Sequence, residues 1–293
     1  MDRRGRYYLA RVVKINLDQE MLMDSMVNAS TISVGRFDWT ITDVVDRRTE
    51  ELPYVFGKLS KYAKDGHVTV IDEESRSQVG ADTPNLLQAS SPFVYLPEYS
   101  GIAFLHVWDG IQGDVFSRRF QKIIESAHDG IMVSCEVDPV TDYEAFTTRL
   151  RKLDEFIEIS AKVFPPNPLF GRLWGGLNEY IRERNASEVS VKEHTSKPGG
   201  LKSRLIELME RIVRDKNYQP ETIPAIADAA VLMAADGYGR GKVVGTQDGD
   251  EVIVRTSETQ KSFLFTKEPS PSELASKAEY HLDKVVKERD MKH

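Results

Sequence analysis

Hydrophobic and polar positions follow two periods along this chain, and most predicted elements can be read from which period holds. Tyr7 to Leu17 alternates loosely and is rich in Val, Ile and Tyr, which predicts an opening strand with Arg11 and Lys14 at polar positions. Phe37 to Val45 reads as a second strand. Leu52 to Ala63 fits either period and is assigned to a strand, His67 to Ile71 to a short strand, and the polar stretch Ser75 to Ser91, with Pro84, to a loop. Phe93 to Leu96 and Ile102 to Trp108 flank Pro97-Glu98-Tyr99-Ser100-Gly101, which suits a hairpin connection, and Asp114 to Ala127 carries Val115, Phe120, Ile123 and Ile124 at helical spacing.

A second unit begins near Ile131. Ile131 to Val137 predicts a strand, Thr141 to Leu153 a helix with Thr141 as N-cap and Glu144 three residues on, and the alternating Phe156 to Phe164 a half-buried strand. Leu169, Leu173, Leu177 and Ile181 form one helical stripe, and Leu201, Leu205, Leu208 and Ile212 another. A short strand, Val189 to Lys192, lies between them. An Ala-rich helix over Thr222 to Ala235 precedes a hairpin of Lys242 to Gly245 and Glu251 to Arg255 about Asp248-Gly249-Asp250. Phe263 to Phe265 is a last strand and Ser272 to Lys287 a terminal helix. The expectation is an α+β fold with mostly antiparallel sheets flanked by helices, in two units, 1–130 and 131–293.

Composition narrows the class. With 293 residues, 40% of them hydrophobic, the chain can bury a real core, and a single cysteine, Cys135, excludes a disulfide framework and fits a reducing, cytoplasmic setting. The longest apolar runs, such as Ala225 to Ala235, fall far short of the roughly 20 residues a bilayer span needs. No membrane span is expected.

Motifs for common chemistries are missing: no phosphate-binding loop, zinc-helix pattern or nucleophile elbow occurs. Gly237, Gly239 and Gly241 precede a strand rather than joining a strand to a helix, so they read as a helix end and a tight approach to the hairpin. Glu136 and Asp138, two apart on a strand, would present both carboxylates on one face, as a metal site or a solvated surface does. Asp72-Glu73-Glu74 reads as a loop charge run and Cys135 as a buried small hydrophobe. His67, His106, His128 and His194 have no partner at a telling spacing. Neither a cofactor nor a metal is expected, and catalysis has no motif to rest on.

Charge is more informative. The formal net charge is −7, yet residues 1–14 set Arg3, Arg4, Arg6, Arg11 and Lys14 against Asp2, and residues 166–216 hold ten Lys or Arg against seven acids. In the second segment Arg172, Arg182, Arg184, Lys192, Lys197, Lys202 and Arg204 surround the loop Lys197-Pro198-Gly199-Gly200, where side-chain and backbone donors could meet phosphates. These seven are the candidate nucleic-acid-binding residues.

Phe156-Ile157-Glu158-Ile159-Ser160 running into Pro165-Pro166-Asn167-Pro168, then Ala186 to Lys192, and the Gly241-Lys242-Val243-Val244-Gly245 hairpin with Asp248-Gly249-Asp250, follow Ser91-Pro92-Phe93-Val94-Tyr95 in order. In these features residues 90–265 resemble a family of bacterial and prophage-encoded proteins of unassigned activity and, more distantly, the RexA-type phage-exclusion proteins. The resemblance implies an anti-phage, abortive-infection-like protein, a homodimer or other homo-oligomer that binds DNA without sequence preference. The acidic net charge departs from that pattern. A protein-interaction or sensor subunit of a multi-component defence system is the alternative, and a metal-dependent nuclease the third reading.

Overall fold

In the computed structural model, which describes residues 3–128, 132–166, 169–215, 218, 222 and 224–292, the opening alternation forms strand β1 (Arg4–Ile15), and three segments distant in sequence pair with it. The chain continues through helix α1 (Gln19–Val27), β2 (Ile32–Val34), β3 (Phe37–Arg47), β4 (Tyr54–Asp72), β5 (Ser77–Leu96) and β6 (Gly101–Leu105). Then follow α2 (Gly113–Ser126), β7 (Ser134–Pro139), α3 (Tyr143–Leu150), β8 (Glu155–Val163), β9 (Phe170–Gly171), α4 (Gly175–Glu183), β10 (Val189–His194) and α5 (Leu205–Arg214). The last elements are α6 (Ile226–Met233), β11 (Gly239–Gln247), β12 (Asp250–Arg255), β13 (Ser262–Thr266), α7 (Pro271–Glu288) and β14 (Met291–Lys292).

The larger sheet runs β13-β1-β6-β5-β4-β3-β2, with β7 beside β13 on the same edge of β1; the second runs β10-β8-β11-β12. The pairings are antiparallel, so the fold is α+β, as the alternation of strands and helices predicts. The expected boundary at residue 130 does not separate two sheets, since β7 pairs Ala10 to Ile15 and β13 pairs Arg4 to Tyr8.

The larger sheet packs on helices over both faces, the second over one. Phe93, Tyr95, Ile102 and Phe104 of the larger sheet meet Leu22 and Met26 of α1 and Phe116, Phe120 and Ile123 of α2, with Phe104 stacked on Phe116. The opposite face, with Tyr7, Leu9, Val94 and Ala103, meets α7 through Leu274, Ala278 and Leu282 and is continuous with the core under the second sheet. Ser270 and Glu273 cap α7 reciprocally, and Pro271 opens it, which explains its sharp start. In the second sheet Ile159, Ala161, Val163, Val243 and Val254 turn inward toward α6.

Three expectations need correction. Ser75 to Ser91 is not a loop: β4 and β5 form one long ribbon paired from Val55↔Tyr95 out to Asp72↔Ser77. Its outer half has solvent on both faces, so backbone pairing holds it without the apolar alternation that marks a half-buried strand. The helix after β7 is capped by Asp142, whose carboxylate accepts from the Ala145 N–H at 3.1 Å, while Thr141 is buried and donates to the Thr256 carbonyl. Helix α1, for which the hydrophobic pattern gives no expectation, starts where Asp18 accepts the Met21 N–H at 2.8 Å ahead of the buried Leu22, Met23 and Met26.

The third correction is Arg11, which is fully buried although it stands at a polar position of the alternation. Its Nε donates to the Asp236 carbonyl at 2.8 Å and its Nη1 to the Tyr99 carbonyl at 2.5 Å. The carboxylate of Asp236 accepts from the Tyr143 hydroxyl, the Trp174 indole and Arg289 Nη1, each at 2.7 Å. Asp236 sits in a π-turn, Ala234–Tyr238, so this buried polar centre ties β1, α3, the segment before α4 and the end of α7 to one point. Burying ionised groups is tolerable only with pairing of this kind, and Arg289 Nε is the one nitrogen of that guanidinium without a partner among the described residues.

Candidate nucleic-acid interface

The antiparallel register of the second sheet decides which side chains meet on its open face. Ser190, Lys162 and Arg240 stand in one cross-strand row, and Lys192, Ser160, Lys242 and Arg255 in the next. Because side chains alternate between faces, these project away from the inward Ile159, Ala161 and Val163. With Ser257 they line a cavity of about 540 Å³. Five cations and three serine hydroxyls thus surround one depression.

Carboxylates hold this face in order. Glu158 accepts from Lys192 Nζ at 2.8 Å, Lys242 Nζ at 2.9 Å and Ser160 Oγ at 3.1 Å. The hydrogen bonds from Lys192 and then Lys242 hold its carboxyl down at about 2, so it is ionised at any ordinary pH. Lys162 pairs with Glu188, and Arg255 Nη1 bonds Glu258 Oε1 at 3.1 Å. Arg240 reaches across to the larger sheet, where its Nε donates to Asp138 Oδ1 at 3.1 Å and its Nη2 lies 3.7 Å from Glu136 Oε2. Burial pushes Asp138 up to about 6 against the pull of Arg240, and raises Glu136 as well.

Glu136 and Asp138 do share a face, as their spacing predicts, but an arginine occupies it. Among the described residues no group of three His, Cys, Asp or Glu side chains is placed to hold a metal ion. Cys135 is buried beside them, and burial raises its thiol.

The seven basic residues singled out from sequence do not converge. Lys192 is the one that lines the basic cavity. Arg182 and Arg184 are exposed at the end of α4, and Arg172 begins the turn before it, with its side chain outside the described residues. Lys197 and Lys202 are exposed on the loop between β10 and α5, and Arg204 Nε bonds Glu207 at 3.1 Å and its Nη1 Thr222 at 2.8 Å. The loop's own donors are engaged: Gly199 N–H bonds Glu155 Oε2 at 3.1 Å and Lys197 N–H bonds Thr195 Oγ1 at 3.1 Å. Sequence counting missed Lys162, Arg240, Lys242 and Arg255 because they lie on separate strands; the usable signal was the alternation Glu158, Ser160, Lys162 beside Arg240, Lys242.

Residues 20–212, or 193 of the 293, match the model of a family described as a domain of unknown function, DUF4747. The chain belongs to the DUF4747 family. The DUF4747 match runs from α1 into α5 and includes Lys162 and Lys192, whereas Arg240, Lys242 and Arg255 lie beyond it on the hairpin that completes the second sheet. No curated protein matches the chain. Among the described residues no helix is long and apolar enough to cross a membrane.

Proposed function

We propose that this DUF4747 protein binds nucleic acid through its phosphates, without reading base sequence, on the open face of the second sheet. The observation that carries the reading is the set Lys162, Lys192, Arg240, Lys242 and Arg255 around one depression with Ser160, Ser190 and Ser257. Cations and hydroxyls are the groups that contact phosphate and sugar, and such contacts position a strand without specifying it. The carboxylates paired with Lys162 and Arg255 are open to solvent, where such pairs are worth only about 0–1 kcal/mol and an incoming phosphate can take over the cation, whereas Lys192, Lys242 and Arg240 keep their buried partners Glu158 and Asp138 and meet phosphate with their remaining donors. The −7 net charge is compatible with this, since the local field at the face rather than the total steers a polyanion. An abortive-infection-like role in phage defence, as a homo-oligomer, is part of the same proposal and would act through this binding.

Two triple variants test the assignment. Lys162→Ala, Lys242→Ala and Arg255→Ala together are expected to weaken retention of DNA or RNA similarly across sequences, while Arg184→Ala, Lys197→Ala and Lys202→Ala leave it unchanged. The reverse pattern would move the site to the loop after β10. Phage plating on cells expressing the first triple, compared with wild type, tests the defence role.

A second reading, as a partner-binding subunit, rests on the β4–β5 ribbon, whose outer half exposes Val70, Ile71 and Val79. Replacing these three by serine is expected to abolish partner capture on that reading and to leave nucleic-acid retention untouched.

A further inference from the structure

Trp39 and Trp174 are buried, but Trp108 is 70% exposed just beyond β6. Its ring is nonetheless braced: it stands edge-on to His106 at 4.4 Å between centroids, and His106 in turn stands edge-on to Tyr8 at 5.4 Å. Both ring nitrogens of His106 are shielded and have no hydrogen-bond partner among the described residues. Burial, and then the charge of Arg6, lowers the imidazole's affinity for a proton. The result is a fixed, uncharged aromatic surface open to solvent, an arrangement that a merely solvated tryptophan would not need.

The platform joins the basic face by contacts along one edge. The Gln112 side chain donates to the Trp108 carbonyl at 3.2 Å at the start of α2. Arg6 Nη1 donates to Ser262 Oγ at 3.0 Å, and Ser262 is the cross-strand neighbour of Tyr8. Two residues earlier, Gln260 lines a second cavity, of about 390 Å³, with Gly113, Arg118, Ser257 and Arg240. Arg240 and Ser257 also line the first cavity. Arg6, Arg118 and Arg240 therefore mark a path from the aromatic cluster to the lysines of the second sheet, interrupted by Asp114, which is itself paired with Arg118 at 2.7 Å.

We propose that Trp108, braced by His106 and Tyr8, is a base-stacking subsite for a single-stranded nucleic acid whose phosphates run along Arg118 and Arg240 onto the second sheet. The inference rests on the phosphate-binding reading above and adds the ligand class. In a duplex the faces of the bases are covered by their neighbours, so a protruding indole has a partner only where bases are unpaired. Aromatic rings beside a cationic groove are how sequence-tolerant single-strand binding is built.

Titration with a thymidine homopolymer and with a duplex of equal length, at low salt, tests it. The single strand is expected to bind more tightly and to quench tryptophan fluorescence, and the quenching should vanish in Trp108→Phe. Trp108→Ala is expected to lower single-strand affinity about tenfold or more, leaving duplex affinity and the salt slope unchanged, while Trp108→Phe restores most of the loss. Because Trp108 is exposed, the melting temperature should not move, which separates the effect from misfolding. Equal affinity for both forms with no effect of Trp108→Ala would overturn the subsite and leave the phosphate reading standing. Absence of any retention would overturn both. A Trp108→Ala protein that binds nucleic acid normally but loses self-association in sedimentation would assign the ring to a protein contact instead.

Discussion

Arg240 on β11 donates to Asp138 on β7 at 3.1 Å, so one arginine bridges the edge of the larger sheet to the open face of the second. Asp138 is fully buried, its Oδ2 has no partner among the described residues, and Arg240 is largely exposed. One well-solvated arginine does not repay the burial of that carboxylate, and its affinity for protons rises to about 6.

The sign of the resulting pH dependence follows. Between the ordinary carboxylate value, 3.8, and about 6 the folded protein binds more protons than the unfolded chain, so this group's contribution to stability falls as pH rises through that window. Asp138→Asn removes it. Relative to the variant, the wild type is expected to lose on the order of 3 kcal/mol between pH 3.5 and 7, read from urea midpoints. Parallel profiles for the two proteins would mean that Asp138 ionises normally in the fold.

Asp236 is the acceptor for Tyr143, Trp174 and Arg289, all buried. Asp236→Ala strands the Arg289 guanidinium and is expected to cost about 3–5 kcal/mol, the range for breaking a buried pair by removing one partner. Chemical denaturation checks this; a loss under 1 kcal/mol would mean that water or a neighbouring carbonyl replaces the carboxylate.

Asp248 and Gly249 both have positive φ, +54° and +89°, at the two-residue turn between β11 and β12. That is the turn that the Asp-Gly pair predicts. Nothing crowds Gly249, so the penalty for a side chain there is conformational, and Gly249→Val is expected to destabilise by about 1 kcal/mol or more. An unchanged melting temperature would contradict it.

Elements were legible in the sequence where one face is buried against a partner. The stripe Val115, Phe120, Ile123 and Ile124 became α2, the stripe Leu201, Leu205, Leu208 and Ile212 became α5 with Leu201 ahead of its start, and Phe156 to Phe164 became β8. The outer ribbon of β4 and β5 was illegible because neither face is buried there, and α1 was illegible because Met and Leu are spread over only nine residues. Arg11 looked like a solvated base, since the groups that accept from it, Asp236 and Tyr99, lie 225 and 88 residues away. The candidate site was hidden for the same reason. Of its five cations only Lys192 belongs to the basic segment visible along the chain, and the other four come into register through strand pairing.

The salt dependence of nucleic-acid affinity tests the central claim most directly. Each phosphate contact releases counterions, so log affinity falls with log salt by about 0.7 to 0.9 per contact. Wild-type protein is expected to retain nucleic acid at low salt with a slope of several units, and the Lys162→Ala, Lys242→Ala, Arg255→Ala triple to flatten that slope by about 2 to 3 units while still folding cooperatively. No retention at low salt, or a slope that the triple leaves unchanged, would contradict phosphate binding on the open face of the second sheet.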